Sequence, residues 1–416
     1  MKDKEIGKLI KLEENRQKKM IDLIASENIV SNDVLEALGS KLTNKYSEGY
    51  PGHRYYGGQE FTDKIENLAI KRALKLFKLS PEKWHVNVQP LSGSPANVAV
   101  YLATVPVGGK IMGMSLSHGG HLTHGHKVSI SGKVWQQVAY GVDAKTEQLN
   151  YAEIAAIAEK EKPALIVAGF TAYPRVIDFK KFREIADSVG ALLMVDMSHF
   201  AGLVAGGVYP VPFEYADIVT TTVHKTLRGP RSALIFARND EAGATGKIGA
   251  VVPREHHEGT NVFVNESMSL GKKIDKAVFP GMQGGPHMNQ IAAVAVALRE
   301  AAAPEFKKYA KQIVKNATTL ADTLSKLGWR IVSGGTDSHL ILVDTWMAGK
   351  GISGSEASAR LEKAGIIVNK NGIPFDTRPP TDPSGIRVGS AAETTRGAKE
   401  KDFRAIAKRI DEILRK

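Results

Sequence analysis

The segment Asp217-Ile218-Val219-Thr220-Thr221-Thr222-Val223-His224-Lys225-Thr226 restricts the possible folds of this chain more than any other stretch. An apolar strand runs into a row of threonines and then into a histidine and a lysine, and Gly229-Pro230 ends any regular element. A lysine at the end of a buried strand is costly as an ammonium, so it loses its proton or finds a partner. A neutral amine there is the nucleophile that forms a Schiff base. The competing reading is a surface lysine in a turn, one of 56 Lys and Arg residues in the chain.

A second apolar run, Ala191-Leu192-Leu193-Met194-Val195-Asp196, ends in an acid and continues through Met197-Ser198-His199. Both runs read as strands of a parallel sheet buried on both faces. Ligands of open α/β sheets bind beyond the carboxyl ends of the strands. Asp196, His199, His224 and Lys225 are therefore expected on one rim. An amine for an aldehyde and a carboxylate for a ring nitrogen are what pyridoxal 5'-phosphate asks of a protein.

At 416 residues the chain exceeds the roughly 250–300 residues at which a single core stops growing. The expected division is an arm or leading helix over 1–25, a large domain over 26–290 and a small C-terminal domain over 291–416. No apolar run reaches the length of a membrane span; the best candidate, Ile291 to Leu298, is closed by Arg299-Glu300. The start Met1-Lys2-Asp3-Lys4-Glu5 lacks the apolar core of a signal peptide, and the absence of cysteine excludes disulfide and thiolate chemistry. These features point to the cytoplasm. The net charge of +12 raises a nucleic-acid partner, but the basic residues are scattered among acids with no dense run. Attraction of anionic substrates explains the charge equally well.

Ile6, Leu9, Ile10 and Leu12 recur at helical spacing near the N-terminus. Thr43 to Gly58 carries four tyrosines and four glycines with no aliphatic residue, so it is either disordered or part of a site. Ser92-Gly93-Ser94 precedes the apolar helical stretch up to Leu102, where free N–H groups and hydroxyls suit a phosphate. The run His118-Gly119-Gly120-His121-Leu122-Thr123-His124-Gly125-His126 lacks metal-ligand spacing, so a stacked imidazole is preferred to zinc and no metal is expected.

From 150 to 238 helices and strands alternate, which predicts a mostly parallel, doubly wound α/β sheet. Residues 239–272 read as an inserted loop, with Glu255-His256-His257-Glu258 solvent-exposed. Two long helices follow, Ile291–Ala303 and Glu305–Leu327. Strands are expected at Trp329–Ser333, His339–Val343, Ile366–Asn369 and Gly385–Val388, and Ser353-Gly354-Ser355-Glu356 reads as a capping box. Arg387 is either a fork for a substrate carboxylate or a solvated edge residue.

Taken together these tracts resemble the serine hydroxymethyltransferase family of fold-type I pyridoxal-phosphate enzymes, from about Ile21 to Gly397. The motifs are Leu23 to Asn28, Thr43 to Gly58, Ser92-Gly93-Ser94, Ser117 to Gly125, Val195 to His199, Thr220 to Arg231, Phe279 to Pro286 and Ser384 to Gly389. The resemblance implies a Schiff-base lysine at Lys225, a partner for the pyridine nitrogen at Asp196 and a stacking ring at His121. Ser92, Gly93 and Ser94 would hold the phosphate, with Gly284 and Gly285 from a second subunit. Thr171, His199 and His224 would line the cofactor. Arg387 would bind the substrate carboxylate with Ser26 near it, Arg231 would stand beside the site, and Glu48 would move protons around the hydroxyl. Tyr46 and Tyr56 would belong to a tract crossing a homodimer interface. Leu116, Gly120, His121, Leu122 and Asn371 would meet folate. The implied reaction interconverts serine and glycine with tetrahydrofolate as co-substrate. A folate-independent β-hydroxy amino acid aldolase and an aminotransferase are rivals on the same fold, and a basic RNA-binding protein is the rival of another class. The chain departs from the family pattern at Leu91, Pro95, Arg228, Pro379-Pro380-Thr381 and in the length of 239–272.

Overall fold

Short runs in which every side chain is buried build the main sheet. The computed structural model describes residues 1–239 and 268–416, so most of the expected insertion at 239–272, including Glu255 to Glu258, lies outside the described residues. Its last residues are helical, since a helix spans Leu270–Val278. The chain divides into two compact units. One comprises 30–171 and 176–311, the other 1–29, 172–175 and 312–416.

The larger unit holds a seven-stranded sheet. Its strands are β1 (Trp84–Asn87), β2 (Lys110–Met114), β3 (Gln136–Tyr140), β4 (Leu165–Gly169), β5 (Leu192–Asp196), β6 (Ile218–Thr222) and β7 (Ala233–Arg238). The spatial order is β1-β7-β6-β5-β4-β2-β3. All neighbours are parallel except β7, which runs antiparallel to both β1 and β6. The expected doubly wound α/β fold is thus present. Sequence reading gave no strand at β1, β2 or β3, because His85 and Asn87, Gly113, and Gln136-Gln137 leave each with only a short apolar stretch.

Helices cover the sheet, so β4 and β6 are wholly buried; β4 reads as a continuous apolar run, and β6 as an apolar start followed by three buried threonines. Helices Gly93–Thr104 and Leu270–Val278 pack with Ile111, Leu165, Val167, Met194 and Ile218 in one apolar cluster. The register sets Gly169 beside Asp196 and Asp196 beside Thr220. A Cβ on Gly169 would fall 2.4 Å from the Asp196 carbonyl oxygen, so only glycine lets β4 and β5 close up here.

The smaller unit has a four-stranded antiparallel sheet in the order Arg330–Ile331, Leu340–Asp344, Gly385–Gly389, Asn369–Asn371. The expected strand Trp329–Ser333 is shorter than read. It gives way to a 3-10 turn at Val332–Gly334, where Ser333 has a φ of 56°. The expected strand Ile366–Asn369 is two pieces, and the first, Ile366–Ile367, pairs in parallel with Ile21–Asp22. The leading helix Lys4–Lys19 buries none of its residues. Ile21–Asp22, the start of the tract after it, is a short strand, and Leu23 enters a core with Leu320, Trp329, Val343, Leu361 and Phe403. Half of the expected capping box forms: the Ser353 hydroxyl accepts from the Glu356 N–H, while the Glu356 carboxylate pairs with Arg360.

This tract lies directly on the strand that carries Arg387. The Gly389 N–H donates to the Leu23 carbonyl at 2.7 Å. A Cβ on Gly389 would meet Ala25 Cα at 2.5 Å. Backbone cannot yield as a side chain does, so Gly389→Ala is expected to destabilise the protein by about 1–3 kcal/mol. Urea unfolding measures this, and an unchanged midpoint would show that the tract is free to shift.

Candidate active site

The carboxyl ends of β5 and β6 place an anion and an amine on one rim. Asp196 closes β5 and is 6% exposed. Its Oδ1 accepts from the Ser198 N–H at 3.0 Å. Its Oδ2 accepts from Asn97 Nδ2 at 2.9 Å and pairs with His124 Nε2 at 3.1 Å. Burial pushes the carboxyl up, but the hydrogen bond and charge of His124, with the Ser198 and Asn97 bonds, hold it far below the usual carboxylate range. Asn97 is itself fixed, donating to Thr123 Oγ1 at 2.9 Å and accepting from Thr220 Oγ1 at 2.8 Å. His121 joins the same network, its Nδ1 lying 2.7 Å from Thr123 Oγ1.

Lys225 follows β6 by three residues, and its Nζ donates to Thr222 Oγ1 at 3.2 Å. Thr222 in turn donates its N–H to Ser198 Oγ at 3.0 Å. A short bonded path, Lys225 to Thr222 to Ser198 to Asp196, therefore joins the amine to the acid. The turn is riveted from below, where the Thr226 hydroxyl donates to the buried His199 carbonyl at 3.0 Å and accepts from the Gly202 N–H at 2.9 Å. His224 is mostly buried, and its Nδ1 has no hydrogen-bond partner. Burial, with the charges of Lys225 and Arg231, lowers its pKa from 6.5 to about 3.

At the other end of the rim, Ser92 stands as the N-cap of helix Gly93–Thr104, yet its hydroxyl makes no capping bond. Gly93 sits where a Cβ would meet the Thr222 methyl at 2.7 Å. Ser94 is exposed. Free N–H groups, an uncommitted hydroxyl and a glycine cradle fit a phosphate, and the unpartnered His224 Nδ1 and ionised Asp196 fit the polar ring. The residues present thus suit pyridoxal phosphate. Thr171 donates its N–H to the Gly119 carbonyl at 2.7 Å. Gly120 is held where a Cβ would lie 2.0 Å from the Met114 carbonyl oxygen, while Leu116 and Leu122 are exposed. Arg231 is exposed as well. Among the described residues no group of three or more His, Asp or Glu side chains is arranged to hold a metal ion.

The aromatic tract is an ordered hairpin, Gly49–Tyr50 against His53–Arg54, rather than a disordered loop. It brings together a second group of expected residues. Tyr46 donates to Glu48 Oε1 at 3.2 Å, and its ring meets Tyr56 edge-on at 5.4 Å. A Cβ on Gly284 would lie 3.5 Å from Glu48 Oε1, and one on Gly285 3.6 Å from the Tyr46 ring. Both tyrosines are more than half exposed. Arg54 holds the hairpin, donating to Glu66 at 2.6 Å, to Asp63 at 2.8 Å and to the Ser47 and Gly49 carbonyls. Gln89 bonds both Glu66 and the Gly49 carbonyl, and Gln283 bridges the Gln89 carbonyl and the Leu91 N–H.

In the smaller unit Arg387 is 6% exposed on a central strand, which removes the solvated-edge reading. Its Nη2 donates to Asn369 Oδ1 at 2.7 Å, and burial lowers its pKa to about 10. Ser26 is half-buried just after Ala25, whose carbonyl lies 3.2 Å from His339 Nε2. Asn371 turns its amide onto the Gly372 carbonyl at 2.7 Å.

Sequence reasoning assigned no role to Asn97, Thr123, His124, Thr222 or Gln283. The available signal was an asparagine inside the apolar run Ala96-Asn97-Val98, a polar group that a buried helix keeps only with partners.

The depressed pKa of His224 has a consequence for stability. Its folded pKa lies below its unfolded one, so its contribution is complete above pH 6.5 and is lost as pH falls toward 3. Urea unfolding between pH 7 and pH 4 should show a His224→Asn variant losing less stability than the parent, by up to about 1.4 kcal/mol per pH unit. Parallel curves would place the histidine in water.

The family model for serine hydroxymethyltransferase matches residues 1–410. Serine hydroxymethyltransferase of Acidobacterium capsulatum is 53% identical over 412 residues, covering 99% of this chain and 88% of the relative. Serine hydroxymethyltransferase of Desulfotalea psychrophila is 53% identical over the same length and coverage. The chain belongs to the serine hydroxymethyltransferase family, the fold-type I pyridoxal-phosphate transferases that interconvert serine and glycine with tetrahydrofolate.

Proposed function

We propose that Lys225 holds the cofactor covalently through Nζ and that Asp196 keeps its pyridine nitrogen protonated. The observation that carries this is the bonded path from the amine through Thr222 and Ser198 to a buried, ionised Asp196. His121 would stack on the ring, and His199 would bind its phenolic oxygen. Thr171 and His224 line the ring. Ser92, Gly93 and Ser94 hold the phosphate. The cofactor supplies, when bound, an electron-poor ring that accepts the electron pair left when serine loses its hydroxymethyl carbon.

The remaining work belongs to side chains. Arg387 clamps the substrate carboxylate by its guanidinium fork, Ser26 takes part in binding the substrate in the same unit, and Arg231 of the larger unit is a further substrate-binding residue. Lys225 would hold the cofactor's aldehyde carbon through Nζ when no substrate amine is bound. Glu48 removes the proton of the serine hydroxyl as the carbon–carbon bond breaks and returns it in the reverse direction. Leu116, Gly120, Leu122 and Asn371 receive tetrahydrofolate, the acceptor of the one-carbon unit. Family membership favours this transfer over the folate-independent aldolase, the aminotransferase and the RNA binder. The larger unit serves as the cofactor domain and the smaller as the C-terminal domain. The site is cytoplasmic. Among the described residues no helix is long and apolar enough to cross a membrane.

We further propose a homodimer in which Tyr46, Glu48, Tyr56, Gly284 and Gly285 of one copy complete the site of the other. Their exposed rings and clustered glycines suit such a surface. Two outcomes are expected. The purified protein shows a visible absorption band that Lys225→Ala lacks, and serine cleavage by the parent slows at least roughly tenfold without tetrahydrofolate. Equal cleavage with and without folate would sink the transferase assignment. Mixing inactive Lys225→Ala and Glu48→Ala subunits should restore up to about a quarter of parental activity, since one complete site forms in each mixed dimer. No recovery after confirmed subunit exchange would put Glu48 in its own chain's site.

A further inference from the structure

Arg228 lies three residues after Lys225, and its N–H donates to the Lys225 carbonyl at 3.0 Å. Its φ is 58°, the left-handed region that long side chains rarely adopt. Glycine accepts that conformation freely, yet arginine stands here. The next residue is equally confined. The Gly229 N–H donates to the Val223 carbonyl at 2.8 Å, and a Cβ there would meet Val223 Cγ1 at 2.4 Å and Ala297 Cβ at 2.8 Å. The turn after Lys225 is thus closed tightly over its own start, with its strain concentrated at Arg228.

The side chain accounts for the arginine. Its guanidinium carbon lies 4.6 Å from the Tyr309 ring centroid and 5.7 Å from that of Phe306. Both distances are within cation–π range. The two rings pack on each other at 5.3 Å, and both belong to the opening turns of helix Pro304–Lys326. A planar cation suits such a pair better than a lysine point charge. Strain held at one residue and balanced by a specific contact is a pattern of functional turns.

We infer that Arg228 is a positioning residue for Lys225. The two rings grip the guanidinium, the guanidinium holds the turn in its left-handed shape, and the turn fixes where Nζ stands beside Thr222. This rests on the reading of Lys225 as the cofactor-bearing amine.

The test uses Arg228→Gly, Arg228→Lys, Tyr309→Leu and the Arg228→Gly/Tyr309→Leu pair in the full-length holoenzyme. Three readouts are needed: kcat and KM for serine, the pH titration of the visible band, and the thermal midpoint of the cofactor-stripped protein. Arg228→Gly relieves the strain but removes the grip. It should lose roughly tenfold in kcat with KM for serine within about twofold, and move the band's titration midpoint by about half a pH unit or more. Arg228→Lys should recover part of both effects. Tyr309→Leu should reproduce them, and the pair should be no worse than either single change. A glycine variant with parental kcat and titration overturns the inference, whatever its thermal midpoint, because the turn's shape alone would then suffice. Additive losses in the pair overturn it too. A parental protein with no visible band would fail the Lys225 reading first, and the positioning role would fall with it.

Discussion

A buried carboxylate that stays ionised is the constraint from which the rest of the rim follows. Moving a carboxylate out of water costs several kcal/mol even after relaxation. Asp196 offsets that cost with donors from three separate elements: Ser198 on its own strand's exit, Asn97 on the helix that follows Ser92, and His124 in the histidine loop. Each donor is a tether as well as a solvating group. Helix Gly93–Thr104 cannot rotate without losing Asn97, and the histidine loop cannot lift without losing His124. The hydrogen bonds that keep the charge therefore also orient the start of helix Gly93–Thr104 and the ring of His121. One charge fixes both ends of the rim.

The same economy recurs in the second cluster, where Arg54 is the buried ion. Its partners Glu66, Asp63 and the Ser47 and Gly49 carbonyls lie on either side of the hairpin that presents Tyr46, Glu48 and Tyr56. Gln89 is shared between Glu66 and the strand segment leading to Ser92, and Gln283 ties that segment to the Gly284-Gly285 turn. A tract without an aliphatic residue cannot be ordered by apolar burial. It is ordered by charge and hydrogen bonding, which is why its aromatic rings can remain exposed.

The parts of the fold visible in the sequence were those in which burial writes a pattern. Leu165–Gly169 is wholly buried and apolar, Leu192–Asp196 is apolar up to its terminal acid, and Ile218–Thr222 is a buried apolar start followed by a row of threonines. Trp84–Asn87 escaped notice because its interior histidine and terminal asparagine are satisfied by Asp275 in a helix about 190 residues further along the chain. Ile21–Asp22 escaped because a two-residue strand has no period, and its partner Ile366–Ile367 is far away in sequence. Within the site, Lys225 and Asp196 were legible because an ionisable residue at the end of an apolar strand is conspicuous. Asn97, Thr123 and His124 were not, because their roles depend on contacts between elements. A local sequence window holds no record of such contacts. Arg387 fell between these cases. Strand alternation gave its face, but only the neighbouring strands on both sides show that it is buried.

Burial alone does not decide the charge of the groups on this rim. It penalises the ionised forms of Asp196 and His224 alike, yet Asp196 remains charged and His224 becomes neutral. The difference lies in the neighbours. Asp196 faces N–H donors, and each of these stabilises the anion more than the acid. His224 has an Nδ1 without a partner and two cations nearby, Lys225 and Arg231, and each of these opposes a third positive charge. The rim therefore presents a fixed anion beside an uncharged imidazole. A protonated ring nitrogen placed against Asp196 meets a full opposite charge, whereas a polar group of the ring placed against His224 meets a neutral ring nitrogen. Two groups that burial penalises alike thus take different charges, and a change of neighbour would alter those charges even if the depth of burial stayed the same.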